Sequence, residues 1–232
     1  MCYNGGMDVE VDGILVAAEE LKRPLVNLRQ LAFAFNGAGT EEKRIRDEMI
    51  SVSDRAIRQV NDLMRLRRLD GAMFKMEPVA VRATIDEVTR ELDELFCYSE
   101  RRVEVKYRAR APLVTANKEL LKSVVYNFLI SATFCKDDKV NSQLIVQNVK
   151  DNVKISVRDY GPTLMLDTWR KMQHGVIETP PAVPMRPGTS GLSLFIASRM
   201  ARYMNGKVGA VRHKDGVSFY VELPVSRQAR LF

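Results

Sequence analysis

The chain has 232 residues, 46% hydrophobic and 28% charged, the balance of an ordinary globular protein with room for one or two cores. Its formal net charge is +7, but Lys and Arg are spread along the chain without interleaved aromatics or a recognition-helix signature. That excess reads as a solvated surface and argues against nucleic-acid binding. No apolar run approaches the roughly 18 to 20 residues that span a bilayer. Residues 1–6 lack the basic start and apolar core of a signal peptide. The three cysteines, Cys2, Cys97 and Cys135, have no metal-ligand spacing and fit a reducing compartment, so a cytoplasmic location is expected.

From the N-terminus, Ile14, Ala18, Leu21, Leu25, Leu28, Ala32 and Phe35 alternate steps of four and three. This seam predicts a helix that packs along its length. Asn36 to Thr40 break it, with Thr40 the expected N-cap. A second helix carries Ile45, Met49, Val52, Ala56, Val60 and Leu63 on one side and ends near Leu69-Asp70-Gly71. The apolar stripe of such a hairpin is too wide for one partner. Two hairpins joined as a four-helix bundle would bury it, so a homodimer is expected.

The texture changes near Phe74, giving an expected boundary between residues 9–72 and 73–232. Met76 to Val79 reads as an extended connector and Val81 to Phe96 as a helix. Val103 to Arg110 alternates as a half-buried strand. Asn117 to Phe134 is the next helix, and Gln143 to Val149 and Val153 to Val157 are strands joined by a turn at residues 150–152. Gly191 to Met204 is a helix with Asn205-Gly206 as its stop. Val208 to Val211 and Val217 to Leu223 form a hairpin in which Asp215-Gly216 is the turn signal. The expected fold class is α+β: the helical hairpin, then a sandwich of helices on one face of an antiparallel sheet.

Several residues invite chemistry. Pro24 lies inside the first helix, where it removes a hydrogen bond and bends the axis. In the strand ending at Asp159, parity puts Val153, Ile155, Val157 and Asp159 on one face, so a carboxylate lands on the buried side. Gly161 follows, where a ligand could approach the backbone closely. A staple at a strand end would explain Asp159 equally well. Asn127 and Ser131 are four apart, hence on one helix face. They suit either a ligand site or an amphipathic core helix with two small polar residues.

Glu19-Glu20-Leu21-Lys22-Arg23-Pro24-Leu25 resembles the His-Glu-Leu-x-x-Pro-Leu phosphoacceptor box of sensor histidine kinases, with Glu19 in the histidine position. Asp159-Tyr160-Gly161-Pro162-Thr163 is similar to the Asp-x-Gly-x-Gly box of GHKL ATPases, with Thr163 in place of the last glycine. Asn127 to Ala132 resembles the Asn-box, with Ser131 where the family has a second asparagine; Phe134 stands where a basic residue is expected, with Lys136 nearby. Pro187-Gly188-Thr189-Ser190-Gly191-Leu192-Ser193-Leu194 resembles the glycine-rich box before the last helix, with Ser193 replacing a glycine. Upstream, the proline-rich stretch from His174 to Pro187 falls where the family has a loop over the nucleotide. The resemblance runs from about Gly13 to Pro224, with every box in order.

The resemblance implies a hairpin that dimerises and carries the phosphoacceptor, followed by an ATP-binding domain. It places Glu19 and Glu20 at the catalytic position. Asn127, Asp159, Gly161, Gly188, Thr189, Gly191 and Leu192 would bind nucleotide, and Ser131 would be the magnesium ligand. It implies ATP and Mg2+ as cofactors and a response-regulator receiver domain as partner. Glu19 is a poorer nucleophile than imidazole, and Ser131 a shorter ligand than an amide oxygen. The expectation is a dimeric signalling module without normal autophosphorylation. The alternative is an ATP-binding enzyme with a weakened magnesium site that phosphorylates a partner.

Overall fold

The computed structural model describes residues 22, 25–35, 39–69, 73–98, 103–108, 113–133, 141–173 and 191–226. They fall into two compact units, Met1–Met73 and Phe74–Phe232.

The described part of the first unit is helical. Residues 25–34 form α1, and α2 runs over Thr40–Leu69, with Arg29 of the first paired to Asp54 of the second. The start of α2 corrects the expected cap. Gly39 takes the N-cap position: its carbonyl accepts from the Lys43 N–H at 3.0 Å, and its N–H donates to the Glu42 carboxylate at 2.6 Å. Glu42 is the third helical residue, so it supplies the acidic half of a capping box without a hydroxyl partner. Glu41 and Glu42 also meet the positive end of the helix dipole, while Arg67 and Arg68 sit at the negative end. Large apolar side chains stay in solvent here: Leu31 is 67% exposed and Phe33 54%, with Leu28, Phe35, Ile45 and Val52 also exposed.

The second unit is an α/β sandwich. Its main sheet has the order β2 (Val103–Tyr107), β4 (Ser142–Val149), β5 (Asn152–Asp159), β7 (Gly216–Pro224), β6 (Lys207–His213). A two-stranded ribbon pairs β1 (Glu77–Ala80) with β3 (Leu113–Ala116). The sheet is mixed, because β2 runs parallel to β4 and the other pairings are antiparallel. An all-antiparallel sheet was the expectation. The segment from β2 to β4 contains β3 and α4 (Lys118–Thr133), a crossover long enough to return the chain in the same direction.

Helices α3 (Val81–Tyr98), α4 and α6 (Gly191–Tyr203) supply the other layer, with α4 against β4, β5, β7, α3 and α6. The layer explains the parity of β5: Val153, Ile155, Val157 and Asp159 are buried, whereas Asn152, Lys154, Ser156 and Arg158 are half-buried on the opposite face. Phe128 and Phe219 stack in the core with ring centroids 6.3 Å apart. A short helix, α5 (Leu166–Gln173), lies against β6, and the Trp169 indole N–H donates to the Ala210 carbonyl at 3.3 Å.

Local chemistry sets the ends of these elements. Asn117 caps α4 by accepting from the N–H groups of Glu119 and Leu120 at 3.1 and 3.2 Å. Its amide donates to the Lys75 carbonyl at 3.1 Å, and the Tyr203 hydroxyl donates to the Phe74 carbonyl at 3.4 Å while its ring meets Phe74 edge-on. Helix α6 stops in a Schellman motif: Asn205 is left-handed (φ 56°), and Gly206 N–H reaches the Ala201 carbonyl at 2.8 Å. Gly206 has to be small, since a Cβ there would lie 2.6 Å from the Glu222 carbonyl oxygen.

Candidate functional site

Strand β5 delivers Asp159 to the helix-covered side of the sheet, where the residue is 1% exposed. A buried carboxylate carries a desolvation cost of several kcal/mol unless hydrogen bonds or a ligand use it. One oxygen accepts from the Gly161 N–H at 3.1 Å, so the chain turns back over its own carboxylate just past the strand. Val217 is the register partner of Asp159 on β7 and is fully buried. An apolar wall therefore stands beside the acceptor.

Behind this position the other sheet face holds a polar cluster. The Arg158 guanidinium bonds the Asp215 carboxylate at 2.8 Å and lies 4.7 Å from the centre of the Tyr160 ring. Two residues, Lys214 and Asp215, make the β6–β7 turn, and Gly216 is already the first residue of β7. The turn thus lies within residues 213–216, where the Asp215-Gly216 signal puts it. Gly216 has φ 147°, and a Cβ there would lie 2.1 Å from the Asp159 carbonyl oxygen. The glycine is required by close approach to Asp159. His213 and Ser218 close the same hairpin, with Nε2 and Oγ 2.8 Å apart. Burial and the nearby Arg158 lower the His213 pKa, opposed by Asp215 and Asp159. Arg158 also holds the Asp215 carboxyl below its usual range.

Helix α4 places Asn127 and Ser131 on one buried face, as their spacing requires. The Asn127 amide donates to the Ser123 carbonyl at 2.9 Å, and the Ser131 hydroxyl donates to the Asn127 carbonyl at 2.9 Å. Both groups thus turn back onto their own helix, a habit that small polar side chains show in helix interiors. Among the described residues no group of three or more His, Cys, Asp or Glu side chains is placed to hold a metal ion. Asn127 and Ser131 offer at most one amide oxygen and one hydroxyl, so a magnesium ion held here would take its remaining oxygen ligands from water and nucleotide phosphates.

At the start of α6, Gly191 and Ser193 are buried and Leu192 is half-buried. Glu19, Glu20, Gly188, Thr189, Phe134 and the 174–187 stretch lie outside the described residues. Arg158, Asp215 and Gly216 were not anticipated as part of this site. The available signal was the exposed parity of Arg158 together with an Asp-Gly pair whose register meets the end of β5.

The second unit has the fold of the GHKL-type ATP-binding domain of histidine kinases, and a helical hairpin precedes it. No family model matches the chain. In sequence it is 22% identical over 233 residues to hybrid signal transduction histidine kinase K of Dictyostelium discoideum, covering 90% of this chain and 19% of the relative. It is 24% identical over 218 residues to the sensor histidine kinase MtrB of Mycobacterium tuberculosis, covering 90% of this chain and 38% of that protein. The chain thus spans about a fifth to two fifths of the curated relatives it matches. Among solved structures, full-length ShkA in complex with AMPPNP superposes with a TM-score of 0.64 at 18% identity, over 93% of this chain and 46% of ShkA. The catalytic domain of histidine kinase ThkA, in a nucleotide-free form, gives 0.57 at 18% identity over 67% of this chain and 99% of that domain. Acinetobacter baumannii AdeS gives 0.59 at 12% identity over 88% and 97% of the two chains. In sequence and fold the chain is similar to sensor histidine kinase cores.

Proposed function

We propose that the chain is a divergent histidine-kinase core of two-component signalling that dimerises through residues 9–72 and docks a response-regulator receiver domain. Residues 73–232 form its nucleotide-binding domain. Glu19 occupies the phosphoacceptor position, so normal histidine autophosphorylation is lost, and the module acts in the cytoplasm as a pseudokinase or phosphatase-type partner. The observation that carries the reading is the pairing of buried Asp159 with Gly161 at the end of β5. In a kinase-like fold that carboxylate accepts from the adenine amino group. The exposed Leu28, Leu31 and Phe35, spaced three and four apart on one side of the helix, support dimerisation, because apolar surface gains by burial.

A second reading keeps enzymatic activity: an ATPase, or a kinase acting on a histidine of another protein. The braced surroundings of Asp159 favour this reading. Titrating ATP with and without magnesium by calorimetry separates the two. Modest affinity, equal for ATP and ADP and indifferent to magnesium, supports the non-catalytic module. Tight, magnesium-dependent ATP binding moves the protein to the enzyme reading. Light scattering at micromolar concentration should give twice the chain mass of 26.3 kDa; a persistent monomer refutes the dimer.

A further inference from the structure

Three groups meet at the end of β5 beside Asp159: the Arg158 guanidinium, the Tyr160 ring and the Asp215 carboxylate. Arg158 and Asp159 alternate across the sheet, so Arg158 lies on the face opposite the helix layer, with the Tyr160 ring beside its guanidinium, while Asp159 turns into that layer. Arg158 spans this open face, bonding Asp215 in the β6–β7 turn at 2.8 Å and covering the Tyr160 ring at 4.7 Å. The Asp215 anchor joins the turn to the strand end, where a Cβ on Gly216 would collide with the Asp159 and Tyr160 backbone. Ser218, the register partner of Arg158, ties down His213 on the far side of the turn.

We infer that Arg158, Asp215 and Gly216 form a positioning clamp that fixes the backbone of Asp159, and so sets how sharply the site selects adenine. The inference rests on the proposed role of Asp159 as the acceptor for the adenine amino group. A hydrogen bond to a carboxylate is directional, and small displacements weaken it steeply. Adenine differs from hypoxanthine at the amino group that such a carboxylate reads, so the clamp acts on discrimination between them. Binding contacts to ribose and phosphate are common to both ligands and do not depend on it. Arg158, Asp215 and Gly216 are therefore positioning residues.

The test measures ADP and IDP affinity by calorimetry, without magnesium, for the full chain and its variants. Wild type should prefer ADP, and Asp159→Asn should abolish the preference. Arg158→Ala and Asp215→Ala should each narrow it roughly two- to fivefold, the worth of a partly screened ion pair. Their melting temperatures should stay near wild type. The exchange Arg158→Asp with Asp215→Arg should recover part of the preference, which a general loss of packing would not do. Gly216→Ala should erase most of the preference, because its Cβ has no room against the Asp159 carbonyl. Should Gly216→Ala fail to fold, the two clamp variants still decide. An unchanged ADP-to-IDP ratio in both overturns the clamp while leaving Asp159 in its role. Absence of any ADP preference in wild type, or its survival in Asp159→Asn, overturns the adenine reading itself and the clamp with it.

Discussion

The end of β5 and the inner face of α4 treat their polar side chains in opposite ways. At β5 a carboxylate is buried, capped by the Gly161 N–H and backed by a turn pinned through Arg158. On α4 the amide of Asn127 and the hydroxyl of Ser131 donate to carbonyls one turn back on the same helix. The first arrangement places a charged side chain on the covered side of a strand end, and the second bonds small polar side chains along one helix. The kinase-like pattern is kept at Asp159 and Gly161 and departs at Ser131, where the family has an asparagine.

The sharpest way to break this comparison is to rebuild the weak end. Glu19→His alone should not label with radioactive ATP as acid-labile phosphohistidine, since phosphoryl transfer depends on positioning and charge neutralisation. Adding Ser131→Asn should raise labelling on the order of a hundredfold or more over the single change, the usual weight of one missing electrostatic contact. Efficient labelling by Glu19→His by itself would show that the α4 end was never impaired.

Next in size, Asp159→Asn should weaken adenine nucleotide binding roughly tenfold to a hundredfold, the range for a hydrogen bond to a charged group. Calorimetry reads it, and Asn127→Ala in parallel should lose far less. Equal losses would erase the contrast between the two ends.

Smaller effects come from titration near the clamp and away from it. His213 has its pKa lowered in the fold, so the unfolded chain takes up its proton first. The stabilisation is full above about pH 6.5 and fades as pH falls through the lowered folded value. Urea midpoints between pH 7.5 and 5 should decline in wild type and stay flatter in His213→Gln. A decline of the same steepness in both would clear His213.

Tyr107 works in the other direction. Burial, and then the charge and hydrogen-bond acceptance of Asp86, push it up to about 12, against the Arg82 guanidinium 3.9 Å from its ring. Its contribution is complete below pH 10 and is lost as pH rises through about 12. Tyr107→Phe should remove that alkaline dependence with a modest change at neutral pH, followed by circular dichroism.

Long periodic elements were legible in the sequence. Helix α2 ends at Leu69, beside the Asp70-Gly71 signal, α4 starts after Asn117, and the alternation of β5 alone assigns Asp159 to the buried side. Misses came where pairing, not periodicity, decides. Strand β3 has four residues and exists through its partner β1, and α5 has eight, too few to show a period. The parallel register of β2 with β4 is a property of the crossover. Gly39 replaced Thr40 as the cap because Glu42 could reach back to its N–H. At the site, residue types named Asp159 and Gly161. Arg158 escaped notice because its partner lies 57 positions away.

The seat formed by Asn117 and Tyr203 also has a consequence for dissecting the molecule. Phe74 and Lys75 precede the first strand, yet their carbonyls and the Phe74 ring are held by the cap of α4 and the last residue of α6. A fragment beginning at Glu77 would contain every strand and helix of the sandwich and still leave that cap amide and that hydroxyl without these acceptors. The natural excision point lies before Phe74, so what looks like tether is the first piece of the domain it leads into.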